Sequence, residues 1–230
     1  MQPTKTAAQL QEEKEKIISL LLHDLRPPLQ VLRFLTGHLA GSNGASMSPE
    51  MIQAYMQELN MAVEELVQSS SAIFTWLEVQ RDRFAGKPQE ISISGLLQKT
   101  IQQFKEDVPN NSSELVVDAT QDVSVMIDAP AVQVALIQLL RNATTAAKGS
   151  PVRLHGRKEG SWLYLSVQDS GKGISEKVTE SIKAHLKGDM YHPLLYRYGY
   201  RIVVKVMELL GGAVQFTIGQ GTTATLAIPV

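Results

Sequence analysis

Two stripes of aliphatic residues at helical spacing, separated by the tract GSNGASMSP, limit what the first third of this chain can fold into. From Thr6 to about Ala40 good helix formers dominate, and Ile18, Leu22, Leu25, Leu29, Leu32 and Leu39 fall on one helical face. The tract then breaks the pattern, with Ser48 a fitting N-cap and Pro49 at the first helical position. A second stripe, Ile52, Leu59, Val63, Leu66, Ile73 and Leu77, is about as long as the first, which predicts an antiparallel α-helical hairpin. Two helices cannot enclose a core. The hairpin is therefore expected to bury its seam by dimerising into a four-helix bundle.

Texture changes at RDRFAGKPQE, where Gly86 and Pro88 end the helix. This places the hairpin at 1–84, a linker at 85–89 and a second domain at 90–230, as a chain of this length allows. The second domain mixes periods. A short strand is expected at Ile91–Ile93, an amphipathic helix at Gly95–Glu106, and strands at Leu115–Val117 and Val123–Ile127, paired around a polar turn. Ala131–Ala147 reads as helix, and VRLHGRK and WLYLSVQD as a hairpin across EGS. An irregular stretch to Tyr198 precedes a helix from Gly199 to Leu210 and two closing strands, VQFTI and TATLAIP. The expected class is α+β, helices on one face of a mixed sheet.

Charge and composition exclude some functions. A net charge of −1 gives no general electrostatic footprint for nucleic acid or an anionic membrane. Without cysteine, disulfides and thiolate metal sites are excluded, which fits a reducing compartment. No apolar run approaches the roughly 20 residues that cross a bilayer. The opening, MQPTKTAAQLQEEKEK, has no signal-peptide core and reads as a helix already in progress, as in a piece of a longer protein.

Four segments of the second domain can carry chemistry. Asn142, on a helix, offers a neutral hard oxygen suited to Mg²⁺; alone, an Asn so placed is more often a cap or a solvated side chain. Asp169, at the head of DSGKG, can accept from an exocyclic amine such as adenine N6, while Gly171 and Gly173 let backbone approach a flat ligand; alone the segment is an ordinary turn. Gly199 opens a helix whose free N–H groups favour phosphate. Gly221, Thr222 and Thr223, in GQGTT, precede the last strand and by themselves fit a hairpin turn.

Taken in order, these segments resemble the ATP-binding domain of sensor histidine kinases, of the wider GHKL ATPase group, over about Ile91 to Val230. KVMELLGG and GQGTTATLAIP are the most specific part of the match. In that family a dimeric helical hairpin precedes the ATP domain and carries H-[DE]-x-x-x-P-L, which HDLRPPL, His23 to Leu29, matches. The resemblance implies a homodimer that binds Mg-ATP through Asn142, Asp169, Gly171, Gly173, Gly199, Gly221, Thr222 and Thr223, with Asn142 as the metal ligand. It implies phosphorylation of His23, assisted by Asp24, and transfer to an aspartate on a response regulator receiver domain. The implied location is cytoplasmic, with no nucleic acid and no membrane contact from this segment, any membrane attachment lying upstream. His23 sits at the margin of the buried stripe, about 100° round from Leu22, where it can reach a phosphate. Pro28 is expected to bend the helix beside it.

Several positions depart from the family pattern. Pro27 stands four residues after His23, where kinases that also act as phosphatases carry Thr or Asn to orient a water; weak phosphatase activity is expected. YRYGYRIV keeps only Gly199 of the glycine box, with Arg197, Tyr198 and Tyr200 around it, and the lid lacks its usual phenylalanines. Gln138, four before Asn142, cannot be a general base, which disfavours an ATP-hydrolysing motor and is compatible with phosphoryl transfer. The alternative is a pseudokinase or phosphotransfer scaffold with a degenerate ATP site. His38, His155, His185 and His192 have no metal spacing and read as structural or solvated.

Overall fold

The computed structural model describes residues 25–41, 47–80, 88–119, 122–173 and 198–230. The chain divides into two compact units, Met1–Phe74 and Thr75–Val230. His23, Asp24, the start of the first helix, the 85–87 part of the linker and the lid fall outside the described residues.

α1 (25–40) lies in the first unit and α2 (Pro49–Gln80) begins there, and both are the expected helices. Ser48 caps α2: its Oγ accepts from the Met51 amide at 3.3 Å, one turn in. Near the connecting tract His38 of α1 meets Tyr55 of α2 edge-on, with centroids 6.5 Å apart. The seam of α1 differs in its members from the leucine stripe. Leu25, Pro28, Leu32, Leu35 and Leu39, at alternating spacings of three and four, are at least partly covered, as is His38, whereas Leu29 is 49% exposed. On α2 the inner line is Tyr55, Leu59, Ala62 and Leu66; Ile52 and Val63, expected in the stripe, remain exposed.

The second unit begins with β1 (Gln89–Ser92), two residues ahead of the expected strand. Ser92 stops it: the Ser92 Oγ accepts from the Gly95 amide at 3.1 Å, capping α3 (Ile93–Asp107), so Ile93 becomes the first helical residue and lies fully buried. β2 (Leu115–Ala119) and β3 (Ser124–Ile127) are both strands but do not pair with each other, correcting the expected hairpin. β3 runs antiparallel to β1 in a small two-stranded sheet, while β2 lies parallel to β4 (Val152–Glu159) at the edge of the main sheet. Between them α4 (Ala129–Ala147) starts two residues earlier than expected, because the buried Asp128 carboxylate accepts from the Ala131 amide at 3.1 Å and Pro130 follows at the first turn.

β4 and β5 (Trp162–Asp169) form the expected antiparallel hairpin, with Glu159 opposite Trp162 and Gly160 at φ +57° in the turn. α5 (Tyr198–Leu209) is followed by β6 (Ala213–Gly219) and β7 (Gly221–Pro229). The main sheet is mixed, in the order β2-β4-β5-β7-β6. Alternate residues Leu154, Leu163, Leu165 and Leu226 are buried under Leu97, Leu136, Leu140 and Met207 of the helices, which bears out helices on one face. Among the described residues no helix is long and apolar enough to cross a membrane.

Candidate nucleotide site

Period-two alternation decides which residues of β5 and β7 meet the helices. Asp169 ends β5 directly opposite Thr222 on β7, and Val167 lies opposite Ala224, all on the helix-facing side. Above them runs the second half of α4, with Leu139, Asn142, Ala143 and Ala146 turned toward the sheet. Between these layers lies an open cleft of ≈ 580 Å³, lined also by Ser170, Gly171, Lys172, Gly173, Thr145, Ala147, Lys148 and Tyr200. Its size falls within the range of small-molecule sites.

Asp169 is only 7% exposed, and its Oδ1 accepts from the Gly171 amide at 2.8 Å, a turn closed by the side chain. That bond fixes the carboxylate while the loop folds tightly onto α4. A Cβ on residue 171 would stand 2.6 Å from the Ala146 carbonyl oxygen, so only glycine fits. Gly221 is constrained twice, by φ +106° and by the Asp169 carbonyl occupying the place a side chain would take.

Asn142 supplies the opposite wall. Its Nδ2 is buried without a hydrogen-bond partner among the described residues, one of two such atoms. An orphaned buried amide costs about 1–3 kcal/mol, which a polar ligand in the cleft can offset. Gly199, at the start of α5, comes close to this amide and to Gln138: a Cβ there would lie 3.3 Å from the Gln138 Oε1 and 3.4 Å from the Asn142 Nδ2. Gln138 is itself buried.

Of the residues expected from sequence, Asn142, Asp169, Gly171, Gly173 and Thr222 line one cleft. Gly199 and Gly221 shape it from behind without lining it. Thr223 does not line it: it pairs with Gln168 and Thr217 on the alternate register, toward the opposite sheet face. Tyr200, noted in the sequence only as a bulky residue in a glycine-poor box, lines the cleft, and so do Lys148 and Lys172 at its mouth. Lys148 is placed there by a left-handed backbone, φ 47°, at the C-cap of α4.

A magnesium ion bound here would have to fit this donor set. Among the described residues there is no group of three or more His, Asp or Glu able to hold a metal. One amide oxygen beside a cleft does suit Mg²⁺, which keeps waters and shares its shell with substrate phosphates.

Residues 127–230 match the family described as Histidine kinase-, DNA gyrase B-, and HSP90-like ATPase. The circadian input-output histidine kinase CikA of Synechococcus elongatus is 25% identical over 94% of this chain and 30% of its own length. The adaptive-response sensory kinase SasA of Synechococcus sp. (strain JA-2-3B'a(2-13)) is 26% identical over 97% of this chain and 62% of its own. The chain thus spans from 30% to 62% of the length of these relatives. The histidine kinase ThkA, solved in complex with response regulator protein TrrA, superposes with a TM-score of 0.65 at 18% identity, covering 98% of this chain and 67% of that one. Fold and cleft together define the class: residues 127–230 are an ATP-binding domain of the GHKL type. Over most of its length the chain is similar in sequence to histidine kinases, and its fold is similar to that of ThkA.

Proposed function

We propose that this chain transfers the γ-phosphoryl group of Mg-ATP to His23 and then to an aspartate of a response regulator receiver domain, working as a homodimer. The observation that carries the reading is the convergence of Asn142 and Asp169, 27 positions apart in sequence, on one open cleft with a buried, unpaired amide.

In this reading the Asp169 Oδ2 accepts from the adenine amine while Oδ1 stays held by Gly171. Val167, Leu139, Ala143 and Ala224 give the base an apolar bed. The Asn142 Oδ1 would hold Mg²⁺, which when bound would supply positive charge beside the phosphates. His23 Nε2 attacks the γ-phosphorus, the bond to the β–γ bridging oxygen breaks, and ADP leaves with the electron pair. Asp24 orients the ring by accepting at Nδ1. The phosphoryl group then passes from nitrogen to the receiver carboxylate.

Gln138 supports transfer over hydrolysis, since a buried amide cannot take a proton from water. The homodimer is supported by apolar side chains left in water by a single chain: Leu29, Ile52, Met56, Val63 and Val67 are each 40–56% exposed. ThkA, a fold neighbour, was solved with a response regulator, which fits a receiver partner. The assigned bounds, 1–84 for the phosphotransfer hairpin and 90–230 for the ATP-binding domain, belong to the same proposal, as does a cytoplasmic location. A scaffold with a closed nucleotide site has less support, because the cleft keeps its volume with Tyr200 in place.

Equilibrium titration with Mg-ATP tests the first step. Saturable binding below millimolar nucleotide, lost in Asp169→Asn, is expected; no saturable binding by the wild type up to millimolar ATP would overturn the enzymatic reading.

A further inference from the structure

Tyr200 is the one aromatic residue among the described lining of the cleft. The rest of the apolar lining is small or aliphatic: Val167 and Ala224 on the sheet, Ala143 and Ala146 on α4. The sheet register fixes where the ring stands relative to the carboxylate. Phe216 on β6 lies opposite Ala224 on β7, which lies opposite Val167 on β5; the next row inward-facing along the strands is Ile218, Thr222 and Asp169. The tyrosine ring packs edge-on against Phe216, 5.3 Å between centroids at 80°. Phe216 thus lies one repeat, about 7 Å, along the strands from the Asp169 row and two strands, about 10 Å, across the sheet from β5, so the ring stands on the β6 side of the cleft. A flat purine hydrogen-bonded at Asp169 and lying across Val167 and Ala224 extends toward the ring, which lines the same cleft.

Two further features hold the ring in place as a wall. Gly199, with no side chain to push against Gln138 and Asn142, lets the first turn of α5 sit close to α4. Beyond it Val203, Val204 and Met207, on the same face of α5 as Tyr200, are buried and anchor the helix. The ring thus borders the cleft while ≈ 580 Å³ stays open beside it.

We infer that Tyr200 is a base-binding residue, presenting its ring to the purine of the nucleotide and so contributing affinity through the base rather than through the phosphates. The inference rests on the ATP-binding reading and names the residue that recognises the ligand's aromatic part.

The test compares wild type, Tyr200→Phe, Tyr200→Leu and Tyr200→Ala by equilibrium titration with ATP, ADP and adenosine in the presence of Mg²⁺. Tyr200→Phe keeps the ring and is expected to bind as wild type does. Tyr200→Leu and Tyr200→Ala are expected to lose at least about fivefold in affinity, as removal of a base-stacking ring does elsewhere, and by the same factor for all three ligands. A merely structural role would instead show as a lowered melting temperature of the unliganded chain, with Leu, which fills much of the same space, restoring affinity. Affinity unchanged or tightened in both ring-deleted variants, or a loss that grows with phosphate number, overturns the inference and leaves the ATP site standing. A wild type that binds none of the three overturns the ATP reading itself.

Discussion

Asp169 and Gly221 are locked together: the carbonyl oxygen of Asp169 occupies the space that any side chain at 221 would need, and Gly221 holds φ at +106°. The last strand can pair with β5, bringing Thr222 opposite Asp169, only because residue 221 has no Cβ. Gly221→Ala must therefore move the strand or the carboxylate. The variant is expected to lose ~2 kcal/mol or more of stability and to lose nucleotide affinity with it. Chemical denaturation and a Mg-ATP titration read the two effects.

Asp128 anchors the helix that carries Asn142. Its buried carboxylate accepts from the Ala131 amide, so Asp128→Ala removes an N-cap and is expected to cost about 1–2 kcal/mol. Urea unfolding of the whole chain measures it; an unchanged midpoint would mean that the cap contributes nothing. Asp128→Asn, which keeps an acceptor oxygen, is expected to recover most of the loss.

Much of the fold was legible because its signals are local. Ser48-Pro49, the EGS turn and the alternation of WLYLSVQD each act within a few residues, and the elements stand where they indicate. Strand partners are not local. Val116 and Val125 look alike as strand residues, and nothing near them tells that one pairs with β4 and the other with β1. The start of α3 was misplaced because ISIS reads as strand until Ser92 is recognised as a cap. In the site, motif order located Asn142, Asp169 and Thr222, but the side-chain direction of Thr223 follows from a register that only the folded sheet fixes. Tyr200 carried no motif, and its place on the cleft wall depends on Phe216, sixteen residues away on another element.

Pro27 lies exposed on α1 and carries neither a side-chain donor nor an acceptor for water. Under the proposed function the chain is expected to dephosphorylate its phosphorylated receiver no faster than the receiver does alone. Loss of label from the phosphorylated receiver, with and without the chain, measures this. Brisk loss in its presence would refute the expectation.

Ser94 donates to the Asp122 carboxylate at 2.5 Å, and this bond holds the Asp122 pKa below its ordinary value. A depressed folded-state pKa stabilises the fold above the ordinary value, and that contribution is lost as pH falls through the folded one. Asp122 is exposed, so the effect on stability is small. The titration itself is the readout: Ser94→Ala is expected to raise the Asp122 pKa in a carboxyl-carbon NMR titration, and an unmoved value would show that the hydroxyl does not set it.

The most direct trial of the central claim incubates the chain with γ-labelled ATP and Mg²⁺, beside His23→Gln and Asp169→Asn. The account predicts protein-bound label that survives alkali and is lost in acid, present in the wild type and absent from both variants. Label retained by His23→Gln, or no label on a wild-type chain that binds Mg-ATP, would contradict it.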